Sequence, residues 1–554
     1  MKLLLSVALV TSLIAFSGFS AKKTSKKSAK RSISSQDLMG EISKSDQKLT
    51  NELNAIVNSV RPAKLADGSP DYERTSKDVR ATINKIVVLA DKNPSSDIAQ
   101  LYKAAVIHIP LFKGFVYRLR KIAEVADMTY LSAIWSLKQV KQTSNFRAPY
   151  MEALFDLVTM PNDKEDILGQ KGIFESVSEL QNWMITNIAP RFTKTIDTMR
   201  KIAYKSGNGI HPIGVIKAEL LVGEVIASRY EPAKNAHKEW LLTSGHLIGL
   251  VSGLEYYMGT LYYASSYNLE KLAELSNTLT KETYVAVSGP TSRSEIFSKH
   301  SKRVELLSTK RVYELTSTQP GKKKRGLFGK NSNGKDDRAS YKAFMTIRPE
   351  AKKEVGGHKN YLQASKHFFT LASKDGLEYH RAMVESYGVS GESQLMVNPT
   401  SYRAALDLTP YIDNQEVLEQ AVAAIEANGP ITLEDKFLNK KYTVDVSVLF
   451  DVDKVADLRA FLPNKFLDSN GERNPSEPNG LNWFSGNITK WKKSFSWNYS
   501  YNKATGWQDP TFAGLLPNIE SEKQGDDYNL HFTNVSALPE TPFVALWLSM
   551  FFGY

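Results

Sequence analysis

Nine histidines, 59 acidic residues and no cysteine are the side chains open to acid–base, metal or nucleophilic chemistry in this 554-residue chain. The missing cysteine removes thiolate metal sites, cysteine nucleophiles, disulfides and lipid attachment at one stroke. Histidine pairs are tested by geometry. His237 and His246 are nine residues apart, which is about 180° around a helix, so the two rings face opposite ways. His358 and His367 repeat that spacing, and His367 and His380 fall on successive predicted helices. The expectation is ordinary solvated or hydrogen-bonded histidine, with no metal and no cofactor.

Nucleophile and phosphate motifs are equally thin. HExxH, GxSxG and Walker A sequences are absent, and Gly207, Gly209 and Gly214 do not make GxGxxG. Ser-x-x-Lys occurs at Ser45–Lys48 and Ser500–Lys503 without the partner motifs that would give it a role. Asp468-Ser469-Asn470-Gly471-Glu472 has part of a calcium-loop pattern, but Phe466 stands where the first acidic ligand belongs. An Asn-Gly turn is the simpler reading. Two carboxyl groups about 5–10 Å apart would suffice for glycoside hydrolysis. Such a pair converging from distant parts of the chain leaves no local signature.

Aromatic side chains are the strongest binding signal. Trp483, Trp491, Trp497, Trp507 and Trp547 all follow residue 480, with Tyr499 and Tyr501 among them. Exposed rings stack on sugars, and buried ones fill a small β core. Trp483, Trp491, Trp497, Tyr499 and Trp507 are the candidate glycan-binding residues.

The elements that would position these groups follow from periodicity. Residues 33–317 read as helices. Leu49, Leu53, Ile56, Val57 and Val60, then Val79, Ile83, Ile86 and Val87, recur at helical spacing. Asn93 to Asp97 is a break with capping residues, and Pro110 ends the run that starts at Ile98. Further helices are expected at 111–142, 150–159, 173–188, 190–205, 213–230, 236–264 and 268–281. Beyond residue 340, helices are expected at 360–374, 376–387 and 414–427, with a short one at 453–461. Tyr442, Val444, Val446, Val448 and Phe450 alternate as a half-buried strand, and the aromatic tail reads as β-rich.

The segment Trp240–Ala264 is the most apolar after the leader. Gly245, Gly249 and Gly253 repeat every four residues along it, which allows another helix to approach closely. Glu255 interrupts it, and an uncharged stretch this short favours a buried core helix over a membrane span. The C-terminal residues Val544, Leu546, Leu548, Met550, Phe552 and Tyr554 alternate like a last barrel strand. The helical first half lacks the many strands that a barrel needs.

Address and charge complete the reading. Met1-Lys2, the apolar run Leu3–Phe16, and the small residues Gly18 and Ser20 before Ala21 have the layout of a cleaved export signal. Net charge is +12, of which Lys22–Arg31 carries six, Lys322–Lys335 six and Lys2 one, leaving the rest near −1. A folded nucleic-acid-binding face is therefore not expected. Lys322, Lys323, Lys324 and Arg325 are candidates for contact with an anionic surface, each worth about 1 kcal/mol near lipid headgroups.

The expected fold class is mainly α. A signal peptide at 1–20 and a basic flexible tail at 21–32 precede an all-α domain at 33–317. A basic Gly/Ser/Lys linker at 318–340 then leads to a smaller, aromatic-rich α+β region at 341–554. The expected function is an exported cell-envelope binding or scaffold protein without catalysis, in the periplasm or outer envelope or secreted. Its partners would be an anionic envelope surface, an envelope protein, or a glycan at the C-terminal aromatics. No nucleic acid is expected, and any membrane association would be peripheral. An envelope hydrolase on glycan or cell-wall substrates is the alternative, and a membrane-integrated component using 240–264 is a third.

Overall fold

The computed structural model describes residues 42, 44–125, 149–161, 172–205, 211–217, 239–272, 274, 342–390, 419–435, 440–458, 497–498, 503–504, 513–515, 519–524 and 527–532. Helix accounts for 67% of these and strand for 8%, so the protein is mainly α. The chain packs as two units. The first comprises Met1–Glu124, Met128–Met258 and Phe368–Glu419, and the second comprises Val125–Asp127, Gly259–His367 and Gln420–Tyr554. Residues 1–41 and the 318–340 segment lie outside the described residues.

In the first unit, α1 (Lys44–Asn58), α2 (Tyr72–Lys92) and α3 (Asp97–Val106) follow the apolar spacing of the sequence. Leu53, Ile86 and Ile98 are fully buried. Asp71 caps α2 by accepting from the Arg74 N–H at 3.0 Å. Val60, Val79 and Ile83 pack with Ala153, Leu157 and Met160, the last three from α4 (Pro149–Thr159) and the residue beyond it.

The expected long helix from Leu111 is broken at its start. Gly114 adopts φ +64°, and its N–H donates to Leu157 O at 2.8 Å. A short 3-10 turn at Ile109–Phe112 precedes it, and helical turns at Phe115–Arg118 and Arg120–Val125 follow. Phe115 meets Phe174 and Trp183 in an aromatic cluster.

Two expected helices at 173–188 and 190–205 are one continuous rod. α5 (Val177–Trp183) passes through a π turn at Met184–Ile188 into α6 (Ala189–Ala203). Pro190 has no N–H, and its ring would press on the carbonyl four residues back. A wider π turn just upstream relieves that conflict without ending the helix.

The helix expected at 213–230 is a strand over its described part. β1 (Pro212–Lys217) pairs antiparallel with β2 (Glu239–Thr243), so the helix expected at 236–264 starts only after Thr243. The β-branched Ile213, Val215 and Ile216 favour extended backbone, and Pro212 and Gly214 weaken the helical alternative. The hairpin lies on α1 and α3. A Cβ at Gly214 would sit 2.9 Å from Ile98 Cδ1, and Asn54 Nδ2 donates to Val215 O at 3.3 Å.

α7 (Ser244–Ser266) and α8 (Tyr361–Ser390) are the two longest helices described. α8 absorbs both helices expected at 360–374 and 376–387, running straight through Asp375-Gly376. Gly376 is used for close approach, since its Cβ position is 3.3 Å from Ser252 Oγ. The stripe on α7 meets α8 at two of its three glycines. Cβ positions at Gly245 and Gly249 lie 3.3 Å from Ala382 Cβ and 2.8 Å from the Tyr379 ring, whereas Gly253 has nothing within 4 Å. Among the described residues, no helix is long and apolar enough to cross a membrane.

In the second unit, residues 345–347 lie between two other segments. Asn268 N donates to Thr346 O on one side, and Ile347 N donates to Ala456 O on the other. Tyr267, fully buried, donates through its hydroxyl to Val455 O at 3.2 Å. Ser365 Oγ donates to Gly259 O at 2.8 Å.

β3 (Ile431–Asp435) and β4 (Lys440–Val444) form a hairpin. The expected strand stops there because the Asp445 side chain accepts from the Ser447 N–H, turning the chain into a 3-10 helix at Val446–Phe450. The helix expected at 453–461 is a series of turns as far as Leu458. Four short strands, β5 (Trp497–Asn498), β6 (Lys503–Ala504), β7 (Ile519–Gln524) and β8 (Asp527–Phe532), assemble in the order β5-β6-β8-β7.

Candidate functional site

Glu255 is the only acidic or basic side chain on α7 once His246 is set aside. Burying it unpaired would cost several kcal/mol. The fold answers with residues from two other helices. Arg200 lies in the last turn of α6, Tyr204 just beyond it, and Asp375 midway along α8. Arg200 Nη1 donates to Glu255 Oε1 at 2.5 Å and to Asp375 Oδ2 at 2.8 Å. The Tyr204 hydroxyl donates to Asp375 Oδ1 at 2.8 Å. The side chains of Glu255 and Asp375 are 0% and 3% exposed, and that of Arg200 is 28% exposed.

The charges in this cluster do not balance when both acids are ionised. One guanidinium then faces two carboxylates. Glu255 Oε2 is out of solvent and receives no donor. The two carboxyl groups lie within hydrogen-bonding reach of each other, so a proton on either bridges them. Burial and then the Asp375 charge push the Glu255 carboxyl up to about 8, against the opposing pull of Arg200. Burial also raises Asp375, outweighing Arg200 and Tyr204. Tyr204 is raised by burial and by the Asp375 charge, so it stays a donor. Glu378 adds a further negative charge near Asp375 and is itself held by Arg381 Nη1 at 2.6 Å.

Two histidines are buried for different structural reasons. His246 begins α7. Its Nδ1 accepts from the Thr243 N–H at 3.2 Å, the role that Glu or Gln plays in a capping box. That bond leaves the ring proton on Nε2, which is out of solvent and without a partner. His108 stacks on Phe192 at 4.8 Å, and its Nε2 meets Thr195 Oγ1. Burial lowers both rings to about 4, with the Arg191 charge adding to the effect at His108. Both are therefore neutral at pH 7.

The expectation that His358 and His367 point apart is overturned. His358 precedes α8 in a tight turn with Gly356 and Gly357, both at positive φ. The chain reverses there, and the two rings lie 4.6 Å apart. Two rings fall short of the three or more ligands that a built site needs. Among the described residues, no group of three or more His, Asp or Glu is placed to hold a metal.

Of the residues proposed from sequence, Trp483, Trp491, Tyr499, Trp507, Lys322, Lys323, Lys324 and Arg325 lie outside the described residues. Trp497 is in β5, paired with Ala504, which pairs in turn with Tyr528. Sequence reasoning missed Arg200, Tyr204 and Asp375. One signal was present: an acid inside the most apolar helix demands a buried partner. No known family model, curated protein or solved structure matches the chain.

Proposed function

We propose that this is an exported cell-envelope protein that binds or scaffolds, held near anionic surfaces by its basic segments. The charge distribution carries the reading. Thirteen positive charges sit at Lys2, Lys22–Arg31 and Lys322–Lys335, against a net of +12, so the rest of the chain is near neutral. Basic clusters of this size attract anionic headgroups or wall polymers and are screened by salt. The leader-like residues 1–20 support export to the periplasm, the outer envelope or the medium. Long, tightly packed helices suit a rigid platform. The cluster of tryptophans and tyrosines after residue 480 supports a glycan as one partner.

The test is extraction of the native protein from an envelope fraction, with salt first and detergent second. Release by salt, and loss of retention on deleting Lys22–Arg31, is the expected result. Release only by detergent means insertion and removes the proposal.

An envelope hydrolase is the second reading, favoured by the meeting of Glu255 and Asp375, which are far apart in sequence. Their burial leaves a substrate no route through the described side chains. Loss of cell-wall hydrolysis in Glu255→Gln, with the fold retained, would promote this reading over the first.

A further inference from the structure

We propose that Glu255 and Asp375 share a single proton at neutral pH, and that its loss in mild alkali loosens the seam joining α6, α7 and α8. The inference is independent of the binding role proposed above. It rests first on arrangement. Both carboxyls take a hydrogen bond from the same nitrogen, Arg200 Nη1, so one cation serves two acids. Glu255 Oε2 is sealed from water with no donor, which a carboxylate tolerates poorly and a protonated pair does not suffer.

Among the described residues, no second cation hydrogen-bonds to the pair. From α6 the pair is met by Arg200 and by the neutral hydroxyl of Tyr204. From α8, Lys374 precedes Asp375 in sequence but is not among the groups acting on its carboxyl, whereas Glu378 is, and it is negative and already engaged by Arg381. From α7 itself there is only Glu255. Deprotonation therefore puts an uncompensated negative charge among three helices that meet at this point. In the turns of α7 just before Glu255, α7 and α8 are held by close contacts: Gly249 against Tyr379, and Ser252 Oγ donating to Ala372 O at 2.8 Å. Repulsion between the two carboxylates acts on a seam with little room to relax.

The sign follows from linkage. The proton is bound more tightly in the folded state, so stability falls as pH rises from the ordinary carboxylate range until the folded pair has titrated. The full-length protein is studied by infrared spectroscopy and thermal melting between about pH 6 and 9.5. The expected result is a carboxylic-acid carbonyl band in the wild type at neutral pH, fading in alkali as the melting temperature falls. Glu255→Gln, a neutral isostere, should lack that band and melt with a flatter pH dependence, ending more stable than wild type at the alkaline end. Asp375→Asn serves if Glu255→Gln does not fold. If neither variant folds, the wild-type band decides: fading in step with the melting temperature supports the proposal. A wild type without the band at neutral pH, a band that persists to the alkaline limit, or variant profiles parallel to wild type would each overturn it.

Discussion

Arg200 is the residue on which the buried cluster turns. At 28% exposure it is less deeply desolvated than Glu255 and Asp375, and among the described residues it is the cation that reaches both. Removing one partner of such a group leaves charge that nothing compensates, which costs about 3–5 kcal/mol in buried cases. Arg200→Met should therefore lose about 3 kcal/mol in urea denaturation, the lower end because the guanidinium is partly solvated. Replacing all three charged residues by apolar ones of similar volume should recover most of that loss. If Arg200→Met unfolds at the wild-type urea midpoint, the cluster is not what holds these helices.

The helix pair α7 and α8 shows how one repeated residue serves two purposes. Gly249 is required by contact: a methyl group there would sit 2.8 Å from the Tyr379 ring. Gly253 is free of contact within 4 Å. Gly249→Ala should lower stability by about 1–3 kcal/mol, and Gly249→Leu by more, because the partner helix must move. Gly253→Ala should raise stability by up to about 1 kcal/mol, since alanine is the better helix former. Melting curves of the two alanine variants must shift in opposite directions. A shift in the same direction would mean that the helix register described here is wrong.

At the scale of the whole chain, buried titratable groups set opposing limbs of a pH–stability curve. His108 and His246 are depressed to about 4, so the unfolded chain takes up their protons first as pH falls. Their contribution is present above the ordinary histidine value near 6.5 and is lost towards about pH 4. The acid pair acts in the other sense, losing stability as pH rises from the carboxylate range to about 8. The curve should peak near about pH 6.5, where the histidine limb has ended and the carboxyl limb is still descending. Chemical denaturation across pH tests this. His108→Gln combined with His246→Gln should flatten the acid limb and leave the alkaline one, because glutamine at 246 still accepts from Thr243. An unchanged acid limb would assign acid unfolding to the ordinary carboxylates alone.

Much of the molecule was legible in the order of its residues. Helical spacing at Leu49–Val60 and Val79–Val87 is a local property, and it marks α1 and α2 directly. The charge runs, the leader-like start and the exclusion of thiol chemistry are compositional and need no fold. The glycine repeat predicted a close helix partner, and α8 is that partner at Gly245 and Gly249. Local patterns misled where one residue, or a distant partner, changed the backbone's options. Asp445 turned a β alternation into a 3-10 helix, Gly114 broke a helix, and the strand-forming run at 212–217 found its partner at 239–243. Spacing alone did not show that Arg200, Glu255 and Asp375 would meet. Each sits on a helix whose periodicity specifies a face but not a neighbour, and packing among three helices brought two acids to one guanidinium. A carboxyl's pKa depends on what surrounds it within a few ångströms, and in this chain those surroundings come from residues as many as 175 positions apart.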